Sequence, residues 1–208
     1  MQPIAQSIST TRGTILIREA KLTDAAPFRE LRLEALQDSP IAFTADFQRN
    51  LSHPSKYWED MLMAHPDEST MFLAKHQRNT QVTRVEDPAA LGGTPDGIPT
   101  DESNLIGMTG IARGGSPKTR HAATIWGVYV TPQWRGLHIA EELIQSCFTW
   151  ARARRIVIAK LGVAATNTSA IRCYERCGFV ITGTEPRAVF YDGKYYDFYM
   201  MSCSLDGS

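Results

Sequence analysis

The stretch between residues 122 and 163 limits the possible folds of this chain more than any other part of it. Residues 122–130 (AATIWGVYV) are rich in β-branched and aromatic side chains and read as a strand. Past Pro132, the pairs Ile139/Ala140, Leu143/Ile144 and Cys147/Phe148, then Ala151, recur with polar residues between them. That spacing predicts an amphipathic helix about four turns long. Residues 156–163 are apolar on both faces except at Lys160, the pattern of a strand buried within a sheet. Such a strand needs helices packed over the sheet, which places the chain in the α/β (α+β) class.

The rest of the chain agrees. Residues 14–18 read as a first strand, and Thr23 or Asp24 caps a helix carrying Phe28, Leu31, Leu33, Ala35 and Leu36. Pro54 opens a second helix with Tyr57, Trp58, Met61 and Leu62 on one side. Residues 70–76, 104–112 and 122–130 are strands, 168–176 a short helix ending at Gly178, and 179–184 and 195–203 two closing strands. Asp192-Gly193 supplies the turn of a hairpin between them. The predicted order is β α α β β β α β α β β, with no internal repeat. Residues 1–13 are polar and aperiodic and are expected to form a flexible tail, leaving 14–208 as one domain. Residues 78–103 hold three prolines, three glycines and five acids with little apolar periodicity, and read as a loop insertion.

Composition narrows the function. Twenty-two Lys and Arg balance twenty-two Asp and Glu, whereas a dedicated nucleic-acid binder carries a basic surface. No apolar run approaches the roughly 18–20 residues of a membrane helix. The beginning, MQPIAQSISTTRG, lacks the basic and apolar regions of a secretory signal. Cys147, Cys173, Cys177 and Cys203 follow no disulfide-framework spacing, and the five histidines form no metal-ligand set. A reduced cytoplasmic protein without a metal, nucleic-acid or membrane partner is expected.

Three segments could carry chemistry. In Val128-Tyr-Val-Thr-Pro-Gln-Trp-Arg-Gly-Leu-His-Ile-Ala140 a strand turns at Pro132 and Arg135-Gly136 leads into the strong helix. Free N–H groups and the helix dipole suit such a turn to phosphate, although a plain connector has the same look. Gly127 within its strand marks either a bulge that splays the sheet or a close contact with a neighbour. Asn167, between strand and helix, occupies a capping position, and Tyr174 on that helix faces the sheet as a core or a catalytic tyrosine.

Taken together, Val130-x-Pro132-x-x-Arg135-Gly136-x-x-x-Ala140 and Asn167-x-x-Ala170-x-x-x-Tyr174-x-x-x-Gly178-Phe179 resemble the GNAT N-acetyltransferase superfamily. Trp126-Gly-Val-Tyr-Val130 and Asp192-Gly-Lys-Tyr-Tyr-Asp197 extend the resemblance, which spans about residues 14–203. It implies a mixed sheet of about seven strands, splayed in the middle and flanked by about four helices. It also implies acetyl-CoA as co-substrate and an amine as acceptor. Pantetheine would pair with the main chain of Val128 and Val130. The pyrophosphate would lie on the amides of Arg135, Gly136, Leu137, His138, Ile139 and Ala140. Asn167 and Ala170 would line the pantetheine arm, and Tyr174 would stand near the thioester sulfur as the acid that protonates the leaving thiolate. A backbone N–H near Val128 would polarise the thioester carbonyl.

His138 departs from the family pattern, which has an inner glycine there. Its ring can point to solvent, touch a phosphate or weaken cofactor binding, and a side chain in place of glycine raises the question of a less usual backbone angle. No acid stands on the strand ending at Val130, so the general base is open among Glu34, Asp46, His121, Asp197 and a water relay. Cys173 as an acyl carrier is the minor alternative to direct attack. Acceptor choice is expected from residues 39–53, the 78–103 insertion and the C-terminal hairpin, with Phe43, Phe47, Trp58, Trp126, Tyr191 and Tyr195 as aromatic candidates. The expected activity is acetylation of a small-molecule amine. A protein N-terminal or lysine acetyltransferase and a non-catalytic acyl-CoA-binding module are the alternatives, and dimers through sheet edges are common in that family.

Overall fold

A computed structural model describes residues 4–63, 67–77 and 104–206. Its strands are β1 (Ala5–Thr10), β2 (Gly13–Glu19), β3 (Ser69–Gln77), β4 (Leu105–Arg113), β5 (Ala122–Val130), β6 (Ile158–Ala164), β7 (Val180–Tyr191) and β8 (Lys194–Ser204). The helices are α1 (Ala25–Asp38), α2 (Phe47–Leu51), α3 (Ser55–Leu62), α4 (Ile139–Arg152) and α5 (Thr168–Arg176). All eight strands form one sheet in the order β1-β2-β3-β4-β5-β6-β8-β7. Only β5 and β6 are parallel; every other neighbouring pair is antiparallel.

The apolar periodicities explain the layers. Ile139, Leu143, Ile144, Cys147, Phe148 and Ala151 of α4 are buried against Ile15, Ile17, Phe72, Ala123 and Ile125 of the sheet, with Cys173 and Tyr174 of α5 alongside. On the opposite face, Phe28, Leu31, Ala35 and Leu36 of α1 meet Trp58 and Leu62 of α3 over Leu73, Met108 and Tyr129. The sheet is therefore covered on both sides, as the doubly apolar β6 requires.

Three expectations change. The segment expected as a flexible tail forms β1 over Ala5–Thr10, antiparallel to β2. Its own apolar pattern is thin, but Ile4 and Ile8 pack on the core and Gln6 Nε2 donates to the Glu142 carboxylate at 3.2 Å. These are contacts across the chain that local periodicity does not announce. The extra helix α2 is a single turn with Asp46 as its N-cap, accepting from Arg49 N at 2.7 Å. Asp24 is the N-cap residue of α1, but its side chain makes no capping bond there and takes a two-pronged ion pair from Arg18 at 2.7 Å and a hydrogen bond from Lys21 N. The Asp192-Gly193 hairpin turn is present, both residues having positive φ (47° and 72°), with β7 running up to Tyr191. The 78–103 insertion lies outside the described residues.

Candidate active site

The site begins at Gly127. Met108 pairs with Tyr129 while Gly110 pairs with Trp126, so Gly127 and Val128 together oppose Thr109. This is a β-bulge, and Gly127 sits at φ 67°, where an L side chain is strained. The bulge bends β5 away from its parallel neighbour. β5 and β6 pair only where Ala122, Ala123 and Thr124 face Ile158, Ala159 and Lys160. Beyond them, the β6-facing edge of residues 125–130 carries no strand, which opens a wedge in mid-sheet.

The wedge leads to the head of α4. Pro132 starts a 3-10 turn, Gly136 follows at φ 79°, and His138 becomes the N-cap in the left-handed region at φ 59°, ψ 17°. Among the described residues, the N–H groups of residues 136–140 meet no backbone acceptor. Five free donors at the positive end of a 14-residue helix form a ready anion cradle.

A cavity of about 440 Å³ runs along this cradle, lined by Val128, Tyr129, Val130, Trp134, Arg135, Gly136, His138, Ile139 and Ala140 on one side. Asn167, Ala170, Arg172, Cys173, Tyr174 and Arg176 of the α5 region close the other. A smaller cavity of about 70 Å³ lies deeper in the wedge, between Ile125, Trp126 and Gly127 of β5 and Leu161, Gly162 and Val163 of β6. Phe43, Val128, Asn167, Ala170 and Tyr174 line both, so Tyr174 stands at the junction.

Each residue singled out in the sequence can now be placed. Val128 lies on the open edge, but the Val130 carbonyl accepts from Arg135 Nε at 3.0 Å and is already engaged. Arg135 also reaches the Asp38 carboxylate, so its guanidinium is held away from the cradle while its main chain enters it. Leu137 turns its side chain onto the core and offers only its N–H. The His138 ring is 72% exposed and sits 3.1 Å from Glu141 Oε1, so it faces solvent at the rim. Asn167 Oδ1 caps α5, accepting from Ala170 N at 3.1 Å and from the Ser169 hydroxyl, which leaves its amide nitrogen free to donate.

Tyr174 is 8% exposed, and its hydroxyl has no partner among the described residues. Burial, followed by the neighbouring Cys173 and Cys177, pushes its pKa up, so the hydroxyl keeps its proton at neutral pH. Cys173 is held as a thiol by its hydrogen bond with Cys177 and by burial, the reverse of what a nucleophilic cysteine needs.

Of the four candidate bases, only Glu34 connects to the cavity, through the Tyr129 hydroxyl at 3.0 Å. Asp46 is occupied as the α2 cap, and Asp197 accepts from Arg187 N at 2.8 Å. His121 precedes β5 at the end opposite the cradle. Trp58 is a core residue, and Tyr191 and Tyr195 stand 46% and 61% exposed on the hairpin outside both cavities. Phe43 and Trp126 do line the site, whereas Phe47 packs beside the α1 core without reaching it.

Sequence reasoning missed Arg172, Arg176 and Glu141. Arg172 and Arg176 stand one helical turn apart on α5, and Arg176 Nε meets Glu141 Oε1 at 3.1 Å. Burial alone would raise the Glu141 carboxyl, but hydrogen bonds from Arg176, its own N–H and His138 outweigh it and hold the pKa below the usual value. The i,i+4 arginine spacing was a visible signal. Its proximity to the α4 cradle was not. Among the described residues no cluster of His, Cys, Asp and Glu is placed to hold a metal, and no helix is long and apolar enough to cross a membrane.

An open strand edge leading into an anion cradle suits an extended chain ending in phosphates. Residues 58–179 match the acetyltransferase (GNAT) family. The chain belongs to that family. It is 30% identical over 105 residues to an L-amino acid N-acetyltransferase of Escherichia coli, a match covering 49% of this chain and 62% of that enzyme. A spermidine N(1)-acetyltransferase of Vibrio cholerae is 26% identical over 174 residues, 81% of this chain and 89% of its own. A Salmonella typhimurium protein solved with its cofactor acetyl-CoA shares the fold at a TM-score of 0.65 and 18% identity, covering 93% of this chain and 95% of that one.

Proposed function

We propose that the protein transfers an acetyl group from acetyl-CoA to the primary amine of a small molecule. The observation that carries this reading is the continuity of three features in one cavity: the unpaired edge of β5, five unbonded N–H groups at the head of α4, and Tyr174 at the junction with the smaller cavity. Pantetheine would lie along Val128 with the free amide nitrogen of Asn167 beside it, and the pyrophosphate on the amides of residues 136–140. Arg172 and Arg176 add positive charge at the rim. The V. cholerae and E. coli relatives are named for small amine substrates, and the deep cavity of about 70 Å³ fits a small acceptor better than a peptide.

The neutral amine attacks the thioester carbon, forming the C–N bond. The tetrahedral oxyanion is met by a backbone N–H at the bulge, and collapse breaks the C–S bond. Tyr174 gives its proton to the departing thiolate. The amine proton leaves toward the Tyr129–Glu34 pair.

The first test is thermal unfolding with and without acetyl-CoA. At a hundredfold excess over the dissociation constant the ligand adds about 2.7 kcal/mol, on the order of 5–10 °C in midpoint for a domain of this size. An amine panel read by release of free CoA thiol follows. No midpoint rise at millimolar acetyl-CoA, together with no thiol release from any amine, overturns the reading.

A further inference from the structure

A buried cation without a partner stands beside the smaller cavity. Arg32, on α1, is only 8% exposed, and neither its Nε nor its Nη1 has a hydrogen-bond partner among the described residues. Its Cζ lies 4.6 Å from the centre of the Phe43 ring, and its Nη1 lies 3.6 Å from where a Cβ would stand on Gly127. Phe43 and Gly127 both line the deep cavity. The guanidinium thus stands behind the bulge that opens the wedge, against residues that line the deep cavity although it lines neither cavity itself.

Among the described residues nothing neutralises this charge. Taking a cation out of water is costly unless it is paired, and buried polar groups without partners are rare. No carboxylate neutralises Arg32. The ionisable side chain that acts on it is that of Tyr57, which is no carboxylate. Burial lowers its pKa to about 10, so it remains charged under those conditions. Gly127 leaves the approach clear, because any side chain there would stand between the guanidinium and the wedge.

We infer that Arg32 receives the carboxylate of the acceptor at the Gly127 bulge, so that the enzyme acetylates amino acids in preference to polyamines or simple amines. The inference rests on the acetyltransferase reading and narrows it to a substrate class. A carboxylate at the bulge would meet Nη1, the orphaned nitrogen nearest Gly127, with a charge-assisted hydrogen bond and would neutralise the buried cation. It would also bring the adjacent α-amine to the mouth of the wedge near Tyr174. A polyamine would add a second cation beside an unpaired one.

The test compares L-methionine, L-leucine and L-phenylalanine with their carboxamides, and with spermidine, for the wild type, Arg32→Met and Arg32→Lys. The wild type is expected to favour each acid over its amide by about tenfold to a hundredfold in kcat/KM. R32M should bring that ratio to about one, and R32K should recover part of it. Binding is read separately, as the rise in unfolding midpoint on adding each acid or amide with CoA present. Loss of fold in R32M is detected in the same scan, and R32K then carries the comparison. Equal use of acids and amides by the wild type, or better use of spermidine, overturns the assignment of Arg32 while leaving the transferase reading in place. If no panel member is acetylated, the midpoint shifts decide whether Arg32 binds carboxylate, and wild-type shifts no larger with the acids than with the amides overturn its assignment.

Discussion

His138 holds a position that favours glycine, and replacing it should stabilise the protein. At φ 59°, ψ 17° it sits in the left-handed region as the N-cap of α4, without a side-chain capping bond. An L residue there costs about 1–2 kcal/mol, although histidine is among the residues that tolerate it better. Glycine removes that cost but loses more backbone freedom on folding, about 0.5–1 kcal/mol. The ring is 72% exposed, so its contact with Glu141 returns little. The balance favours H138G by about 0.5–1 kcal/mol. For a 208-residue chain that is a rise of about 1–4 °C in unfolding midpoint. H138A separates backbone from ring, since alanine keeps the left-handed strain and removes the imidazole, and its midpoint should lie at or slightly below the wild type. Differential scanning calorimetry of the three proteins at one pH and salt concentration gives the ranking. An H138G midpoint equal to or below that of H138A would refute the argument, because both variants lack the ring and the left-handed strain would then be worth no more than glycine's loss of freedom. Loss of the acetyl-CoA-induced rise in both variants would assign the ring itself to a phosphate.

Two further outcomes follow from the same site. Tyr174→Phe should lower kcat by about tenfold to a hundredfold with little change in midpoint, since the hydroxyl has no partner among the described residues; full kcat with a confirmed amine would remove the acid role. Glu141→Gln tests a pH dependence. The Glu141 carboxyl is held below its ordinary value, so its contribution is fully present above the unfolded value of about 4.3 and is lost as pH falls through the lower folded value. The stability gap between wild type and E141Q should therefore be widest near neutral pH and shrink as the pH falls below the ordinary carboxyl range; a gap that does not change with pH in urea titrations would show that packing, rather than charge, carries it.

Much of the site is local in sequence and was legible there. The bulge at Gly127, the turn at Pro132, the run from Arg135 to Ala140 and the Asn167 cap each lie within one strand–helix junction, where backbone geometry follows from residue type and periodicity. The left-handed backbone of His138 has its signal in the family resemblance, which places a glycine there and left an unusual backbone angle open. Other elements were out of reach because their cause lies far along the chain. Ala5–Thr10 has too few apolar residues to declare a strand, and becomes one because β2 offers an edge and α4 offers partners for Gln6.

The sequence by itself determined the covered sheet, and it marked Gly127 and the turn from Pro132 to Ala140 as places where a bulge and an anion cradle could form, because periodicity and backbone conformation act within a few residues. Only the tertiary structure decided that Arg176 reaches Glu141, that Glu34 reaches Tyr129, and that Arg32 stands unpaired beside Gly127. Those facts depend on which faces of α1, α4 and α5 are brought against the sheet. The burial of a charge is a property of that packing, not of the residue that carries it.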